Sequence, residues 1–381
     1  MRNKRIVFLS GTRADFGKLK SLISISQSSK LLDVHVFVTG MHMNSKYGRT
    51  IDEVIKAKIK NIYPYINHEG IDHMDRTLAN TINGFSHFIS EIQPDLIVVH
   101  GDRVEALAGA IVGSLNNILV AHIEGGELSG TIDELIRHAV TKMSHIHFVA
   151  NQSAKNRLLQ LGEKENSIWI IGSPDIDLMD PEKLPCLNRV KKHYDISFDE
   201  FSIAMFHPVT TEYAKIKSHS KNFVDALLAS EDNFVVIFPN NDLGSDEIIN
   251  EYKRLKNNPR FRIFPSLRFE YFLTLLKSSN YIVGNSSAGI REAPFYGVPT
   301  VDIGTRQRNR ADHEDIFHSD YQAIEILKIV SAVKNVNKQN VKKVAFKDFG
   351  NGQSDKHFFE ILMSNSLWKT SCQKQMQVLD R

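Results

Sequence analysis

The sequence predicts an α/β protein built from two doubly wound parallel-sheet domains. Short apolar runs alternate with amphipathic stretches, several of the runs are apolar on both faces, and the alternation breaks once near mid-chain and then restarts. Runs such as DLIVVH (95–100) and NILVAHI (117–123) suit strands covered by helices on both sides. In the first half, strands are expected at 5–9, 34–39, 95–100, 118–123, 147–150 and 168–171, with helices at 18–24, 72–91, 104–115, 133–144 and 153–161. The segment GSPDIDLMDPEKLP, around 172–184, has three prolines and several acids and reads as a linker. Beyond it, strands are expected at 202–206, 234–238, 262–264, 281–283 and 300–303, and helices at 218–229, 246–255, 269–278 and 288–296. The domains are therefore placed at 1–175 and 176–354, both Rossmann-like, with a terminal helical segment, 355–381, expected to pack back on the first. Ligands of such sheets bind beyond the carboxyl ends of the strands, so chemistry is expected in the loops there and in a cleft between the domains.

The bulk numbers narrow the class. The 381 residues are 42% hydrophobic and 24% charged, ordinary for a globular protein. Lys and Arg total 47 against 44 Asp and Glu, and no basic block occurs, which argues against a dedicated nucleic-acid binder. Cys186 and Cys372 form neither a disulfide scaffold nor a close-spaced metal motif, and fit a reducing, cytoplasmic setting. The first apolar run, residues 6–9, is too short for a signal-peptide core, and no stretch approaches the roughly 18–20 apolar residues of a membrane span.

The loops after the strands hold the candidate chemistry. Strand one leads into SGTRADFGK, a glycine turn whose N–H groups can cradle a phosphate, with Arg13 and Lys18 adding charge; a plain strand–turn–helix with a solvated Arg reads equally well. Strand two leads to His42, a structural histidine or a site residue. DLIVVH is followed by Gly101-Asp102-Arg103 and the next strand by Glu124, two acids that are costly to leave unpaired after buried strands. The bland alternative is that Arg103 neutralises both in a loop network. Thr131 and Glu134 have capping-box spacing, and Asp133 is a first-turn acid nine residues after Glu124. In the second half, His207 follows one strand and Asn241 another. GNSSAGIREAP then offers Ser286 and Ser287 to cap a helix and free N–H groups to a diphosphate, with Gly289 among the small residues and Glu292 placed to accept ribose hydroxyls. Three arginines, Arg306, Arg308 and Arg310, suggest anion contact or solvated charge.

Together GTRADFGKLK, VTGMHM, HGDRVEALAGA, HIEGGELSGTIDELIRHAV, GSPDID, FHPVTTE, PNND and GNSSAGIREAPFYGVPTVDIGTRQ resemble the UDP-N-acetylglucosamine 2-epimerase family, in family order from residue 11 to 307. The resemblance is closer to its hydrolysing branch, which starts sialic acid biosynthesis. It implies a GT-B glycosyltransferase-like fold, with the nucleotide held mainly by the C-terminal domain. It implies Asp102, Glu124 and Asp133 as catalytic acids, with His42 and His207 as active-site histidines. Arg13, Lys18, Arg103, Asn241, Ser286, Ser287, Gly289, Glu292 and Arg306 are the expected substrate contacts. The non-hydrolysing branch has Pro-Glu where this chain has Ala14-Asp15, and Ala-Gly-Leu-Arg where it has Gly125-Gly126-Glu127-Leu128, which favours hydrolysis.

The chemistry explains the acids. The C2 proton of the sugar is not beside a carbonyl, so loss of UDP from C1 must precede or accompany its removal. UDP leaves with anion stabilisation alone, so no cofactor or metal is expected. Inversion at C2 needs proton transfer on both faces, hence at least two acids around the ring. The partners expected are a UDP-sugar and UDP, with no nucleic acid or membrane, and a homodimer or tetramer is what the resemblance implies. The alternatives are the same reaction on UDP-N,N'-diacetylbacillosamine, on the legionaminic acid route, a non-hydrolysing epimerase, a GT-B glycosyltransferase and a non-catalytic UDP-sugar sensor.

Overall fold

The computed structural model describes residues 3–68, 73–128, 132–308, 315–334, 336, 350 and 352–377. By internal packing the chain divides into two units, Met1–Glu127 with Asp133–Asp180 and Phe346–Arg381, and Leu128–Ile132 with Pro181–Ala345.

In the first unit the order is β1 (Lys4–Ser10), α1 (Arg13–Ser28), β2 (Leu32–Val38), α2 (Ile51–Lys56), β3 (Asn61–Pro64), α3 (Met74–Ile92), β4 (Leu96–His100), α4 (Val104–Leu115), β5 (Leu119–Ile123), α5 (Ile132–Met143), β6 (Ile146–Val149), α6 (Gln152–Gln160) and β7 (Ile168–Ile170). The strands form one parallel sheet in the order β3-β2-β1-β4-β5-β6-β7. Strand order reverses between β1 and β4, so the connections after these two strands run to opposite sides and leave a crevice at their carboxyl ends. β4 and β5 are buried at every position, which is why their sequences are apolar on both faces.

The second unit continues with α7 (Leu187–Tyr194), β8 (Ser202–Met205), α8 (Ile216–Ala229), β9 (Phe234–Ile237), α9 (Ser245–Tyr252), β10 (Phe261–Phe264), α10 (Phe269–Ser278), β11 (Ile282–Gly284), α11 (Glu292–Tyr296), β12 (Thr300–Ile303), β13 (Ile316–Ser319) and α12 (Ala323–Lys334). Its parallel sheet has the order β10-β9-β8-β11-β12-β13, with the reversal between β8 and β11. Its core joins Phe206, Phe223, Phe234, Tyr252 and Tyr281 to the aliphatic residues of the strands.

The eleven strands expected from sequence all form, which makes the chain a two-domain α/β protein. Five elements, α2, β3, α7, β13 and α12, went unread. β3 is a four-residue edge strand with mostly exposed side chains and carries no apolar run. The continuous helix expected at 288–296 is instead a 3-10 turn, Ser287–Gly289, followed by the five-residue α11. Pro294 lacks the N–H that would bond to the Ile290 carbonyl, so a helix running through from 288 would lose that bond.

The chain then returns to the first unit as α13 (Ser354–Met363). Phe358, fully buried, meets Phe8 with ring centroids 6.2 Å apart and Phe148 at 4.9 Å. Burying a ring of this size stabilises by roughly 2–3 kcal/mol. The segment beyond α13 is fixed by charge. Lys374 Nζ lies 2.6 Å from buried Glu163 and donates to the carbonyls of Thr141 (2.7 Å) and Ser144 (2.5 Å) in α5 and the turn after it. Glu163 also receives His147 Nε2 and Lys142 Nζ, both at 2.9 Å. Burial would raise the Glu163 pKa, but the hydrogen bond from His147 and the charges of His147 and Lys374 bring it down to about 2.

Two outcomes test this packing. Gly284 has φ +138°, and a Cβ there would fall 1.8 Å from the Met205 carbonyl oxygen. Gly284→Ala should therefore lower the urea-unfolding free energy by about 3 kcal/mol or more. A carboxylate held below its unfolded pKa of about 4.5 adds stability above that pH, and the gain disappears as pH falls through the folded value. The stability deficit of Glu163→Gln should thus be on the order of 3 kcal/mol at neutral pH and should shrink between pH 4.5 and about 2, read by urea titrations at each pH.

Candidate active site

In the first unit the candidate residues gather where β1, β4 and β5 end. α1 starts with a reciprocal cap: Thr12 Oγ1 accepts from Asp15 N at 3.1 Å, and Asp15 Oδ2 accepts from Thr12 N (3.0 Å) and Gly11 N (3.3 Å). The N–H groups expected to cradle a phosphate are thus taken up by the protein's own Asp15. Arg13 is paired with Glu53 Oε1 at 2.7 Å.

Lys18, one turn into α1, does not stand apart for an anion. Its Nζ lies 2.9 Å from Glu124 Oε2 and 3.5 Å from Asp175 Oδ2. Glu124 follows β5 directly, is 3% exposed, and adopts φ +62°, a left-handed conformation that costs a non-glycine residue about 1 kcal/mol. Such strain tends to occur where side-chain direction matters for function. His100, the last residue of β4, reaches Glu124 Oε2 with Nε2 (3.1 Å) and Asp15 Oδ1 with Nδ1 (3.4 Å). Ser173 donates its hydroxyl to Glu124 Oε1. Burial would lower the His100 pKa, but its bonds to Asp15 and Glu124 raise it overall; Asp15 is held low against its own burial by His100 and Arg103.

Asp102 lies two residues beyond His100 and is partnered by Arg137 of α5. Because His100 pairs with Ile123 in the β4–β5 register, Asp102 and Glu124 leave adjacent strands almost side by side. Asp133 is buried in the first turn of α5, one turn before Arg137. The capping partner read for Glu134, Thr131, lies outside the described residues, as does Arg310. Arg103 is the N-terminal flanking residue of α4 and acts on Asp15 and Glu105 through its charge.

His42 is fully buried with both ring nitrogens engaged, Nε2 with Ser10 Oγ (3.0 Å) and Nδ1 with Thr50 Oγ1 (2.7 Å). Burial pushes its pKa down to about 4. It therefore stays neutral and bridges the ends of β1 and α2. Beside it, Gly40 has φ +62°, and a Cβ there would fall 2.6 Å from Glu105 Oε1.

In the second unit, His207 beyond β8 and Asn285 beyond β11 meet at the strand reversal. Asn285 Oδ1 accepts from His207 N (2.6 Å) and its Nδ2 donates to His207 O (2.8 Å). Asn240 N donates to His207 Nδ1 at 3.0 Å, which leaves the neutral ring's proton on Nε2. Arg306 and Gln307 converge on the Asn285 carbonyl at 3.3 and 2.8 Å. Ser286 Oγ accepts from Ala288 N at 3.3 Å, while the N–H groups of residues 289–291 bond back to Ser286 and Ser287. The free N–H groups expected there for a diphosphate are thus used inside the turn at residues 288–291. Gly289 is required by packing, since a Cβ would fall 2.6 Å from Thr300 Cγ2. Glu292 is buried at the start of α11, and Asn241 is half-buried beyond β9.

The sequence reading missed Asp15, His100, Ser173, Asp175 and Arg137. Asp15 was visible as the residue three after Thr12, in capping-box spacing. Arg137 follows Asp133 by one helical turn. Ser173 and Asp175 were absorbed into the segment read as linker.

Residues 25–363 match the UDP-N-acetylglucosamine 2-epimerase family. The chain is 46% identical over 372 residues to the UDP-N-acetylglucosamine 2-epimerase of Neisseria meningitidis serogroup B, covering 98% of both. It is 33% identical to the hydrolyzing UDP-N,N'-diacetylbacillosamine 2-epimerase of Legionella pneumophila, covering 94% of this chain and 95% of that one. Among solved structures, the Methanocaldococcus jannaschii UDP-GlcNAc 2-epimerase in complex with UDP-GlcNAc and UDP superposes with a TM-score of 0.79 at 23% identity, covering 94% of this chain and 99% of the other. A Neisseria meningitidis UDP-GlcNAc 2-epimerase bound to UDP-GlcNAc gives a TM-score of 0.78 at 19% identity, covering 95% and 100%. The fold is the GT-B-like, two-domain α/β fold of these structures. The chain belongs to the UDP-N-acetylglucosamine 2-epimerase family.

The His207 geometry gives a direct check. In nitrogen-15 spectra of histidine-labelled protein at pH 8, His207 should show a protonated Nε2 and an unprotonated Nδ1.

Proposed function

We propose that the protein is a hydrolysing UDP-N-acetylglucosamine 2-epimerase, converting UDP-N-acetylglucosamine and water to N-acetylmannosamine and UDP, the first step of sialic acid biosynthesis. The observation that carries this is the placing of Asp102 and Glu124 at the ends of neighbouring strands, each held as a carboxylate site by cationic partners. Such groups can take the C2 proton as the electrons of the C2–H bond form the C1=C2 double bond and the C1–O bond to UDP breaks. The resulting glucal is hydrated, with a proton delivered to the other face of C2. In this reading Asp102 and Glu124 carry the proton transfers, and Asp133 tunes them or activates water. In the second unit Ser286, Ser287, Glu292 and Arg306 hold the nucleotide, with His207 supplying an Nε2–H donor.

The 46% identity to a UDP-N-acetylglucosamine enzyme supports the N-acetylated hexosamine as substrate. The 33% identity to an enzyme named as hydrolyzing supports release of free sugar and makes the diacetylbacillosamine nucleotide the second reading. Cys186 and Cys372 are exposed and unpaired with each other, which fits a reducing cytoplasm. Among the described residues no helix is long and apolar enough to cross a membrane. A homodimer or tetramer is part of the proposal, to be weighed by light scattering.

Incubation with UDP-N-acetylglucosamine in heavy water should yield UDP and N-acetylmannosamine carrying deuterium at C2, followed by NMR. Intact epimerised nucleotide sugar would overturn hydrolysis. Faster turnover of the diacetylbacillosamine nucleotide would move the assignment to that substrate. Asp102→Asn, Glu124→Gln and Asp133→Asn should each lower kcat by about 10²-fold or more, and a variant that keeps full turnover leaves the set.

A further inference from the structure

His100 was not among the residues singled out in the sequence, yet it joins three elements of the first unit. Its ring lies between Asp15 of α1 and Glu124 beyond β5, and all three side chains are almost wholly withdrawn from water. A neutral imidazole has one N–H and can serve one of two carboxylates as donor, leaving its lone pair facing the other. The imidazolium serves both. We infer that Asp15 and His100 form a positioning pair for Glu124, with Asp15 holding His100 as an imidazolium that fixes Glu124 as an oriented carboxylate. This inference deepens the proposed function and rests on Glu124 being an acid/base group.

The two facing carboxylates favour the same state and outweigh the opposing charge of Lys18. Asp15 and Lys18 come from α1, Glu124 from the end of β5, and Asp175 from beyond β7. His42 beyond β2 and His122 in β5 are kept neutral by burial, with values of about 4 and about 3. Arg103 and Glu105 stand at the start of α4, and burial raises the Glu105 pKa. Lys18 bridges Glu124 and Asp175, and His100 bridges Glu124 and Asp15, so a cation at His100 completes an alternating row of charges. The overall raised pKa of His100 agrees. Asp15 also caps α1, so its charge is fixed in place by backbone N–H donors and cannot swing away from the ring. Loss of the His100 charge should make Glu124 harder to ionise, moving the acid limb of kcat to higher pH.

Histidine-labelled protein free of ligand provides the first test. The His100 ring should titrate with a midpoint above that of an unperturbed histidine, about 6.5, and Asp15→Asn should bring it below that value. Asparagine keeps an oxygen for the Gly11 and Thr12 N–H groups, so this variant retains the cap. A wild-type midpoint at or below about 6.5 overturns the inference. Turnover of UDP-N-acetylglucosamine provides the second test. His100→Gln should lower kcat about 10²-fold, move KM less than about threefold, and shift the acid limb upward by about one pH unit. Asp15→Asn should act in the same direction, and the double variant should be no slower than His100→Gln, because Asp15 acts through His100. Additive losses, or a His100→Gln enzyme with the wild-type acid limb, overturn it. A wild-type protein that releases no UDP overturns the proposed function instead, and the histidine titration then decides this inference by itself.

Discussion

A carboxylate withdrawn from water at the end of a buried strand has to be matched by donors, and that requirement organises the first unit. Glu124 is matched by Lys18 from α1, His100 from β4 and Ser173 from beyond β7. Those three come from widely separated parts of the sequence and can converge only where parallel strands end together. The sheet order supplies the meeting place, since the reversal between β1 and β4 opens the crevice into which α1 and β4 project. The same logic recurs at the reversal in the second unit, where His207 and Asn285 lock two strand ends together through backbone and side chain.

The sequence made the fold legible because its strands are buried on both faces and therefore apolar throughout. DLIVVH and NILVAHI needed no partner to be recognised, whereas the edge strand NIYP has solvent on most of its side chains and gave no pattern. The break at Pro294 was written in the sequence, but its effect depended on where the helix would have begun. The acids were legible as charged residues directly after apolar runs. Their partners were not, because Arg137, His100 and Lys18 are set opposite them by the sheet and not by spacing along the chain. The glycine turn after β1 shows the limit of motif reasoning: its donors exist, but Asp15 occupies them.

Two buried histidine environments in one unit show how position decides role. His42 meets hydroxyls at both nitrogens and stays neutral, while His100 meets carboxylates at both nitrogens and is drawn toward the charged form. Neither distinction can be read from the residue type or its place after a strand.

The return of the chain to its first unit bears on how the protein is made. Lys374 neutralises Glu163 and ties down the far end of α5, the helix that also carries Asp133 and Arg137. That lysine follows the whole second unit in chain order, so the amino-terminal half must wait for the second unit to be made before its own ionic framework is complete. Synthesis from the amino end therefore does not finish the units one after the other, and a chain interrupted before α13 carries a first half lacking both an aromatic plug and a cation.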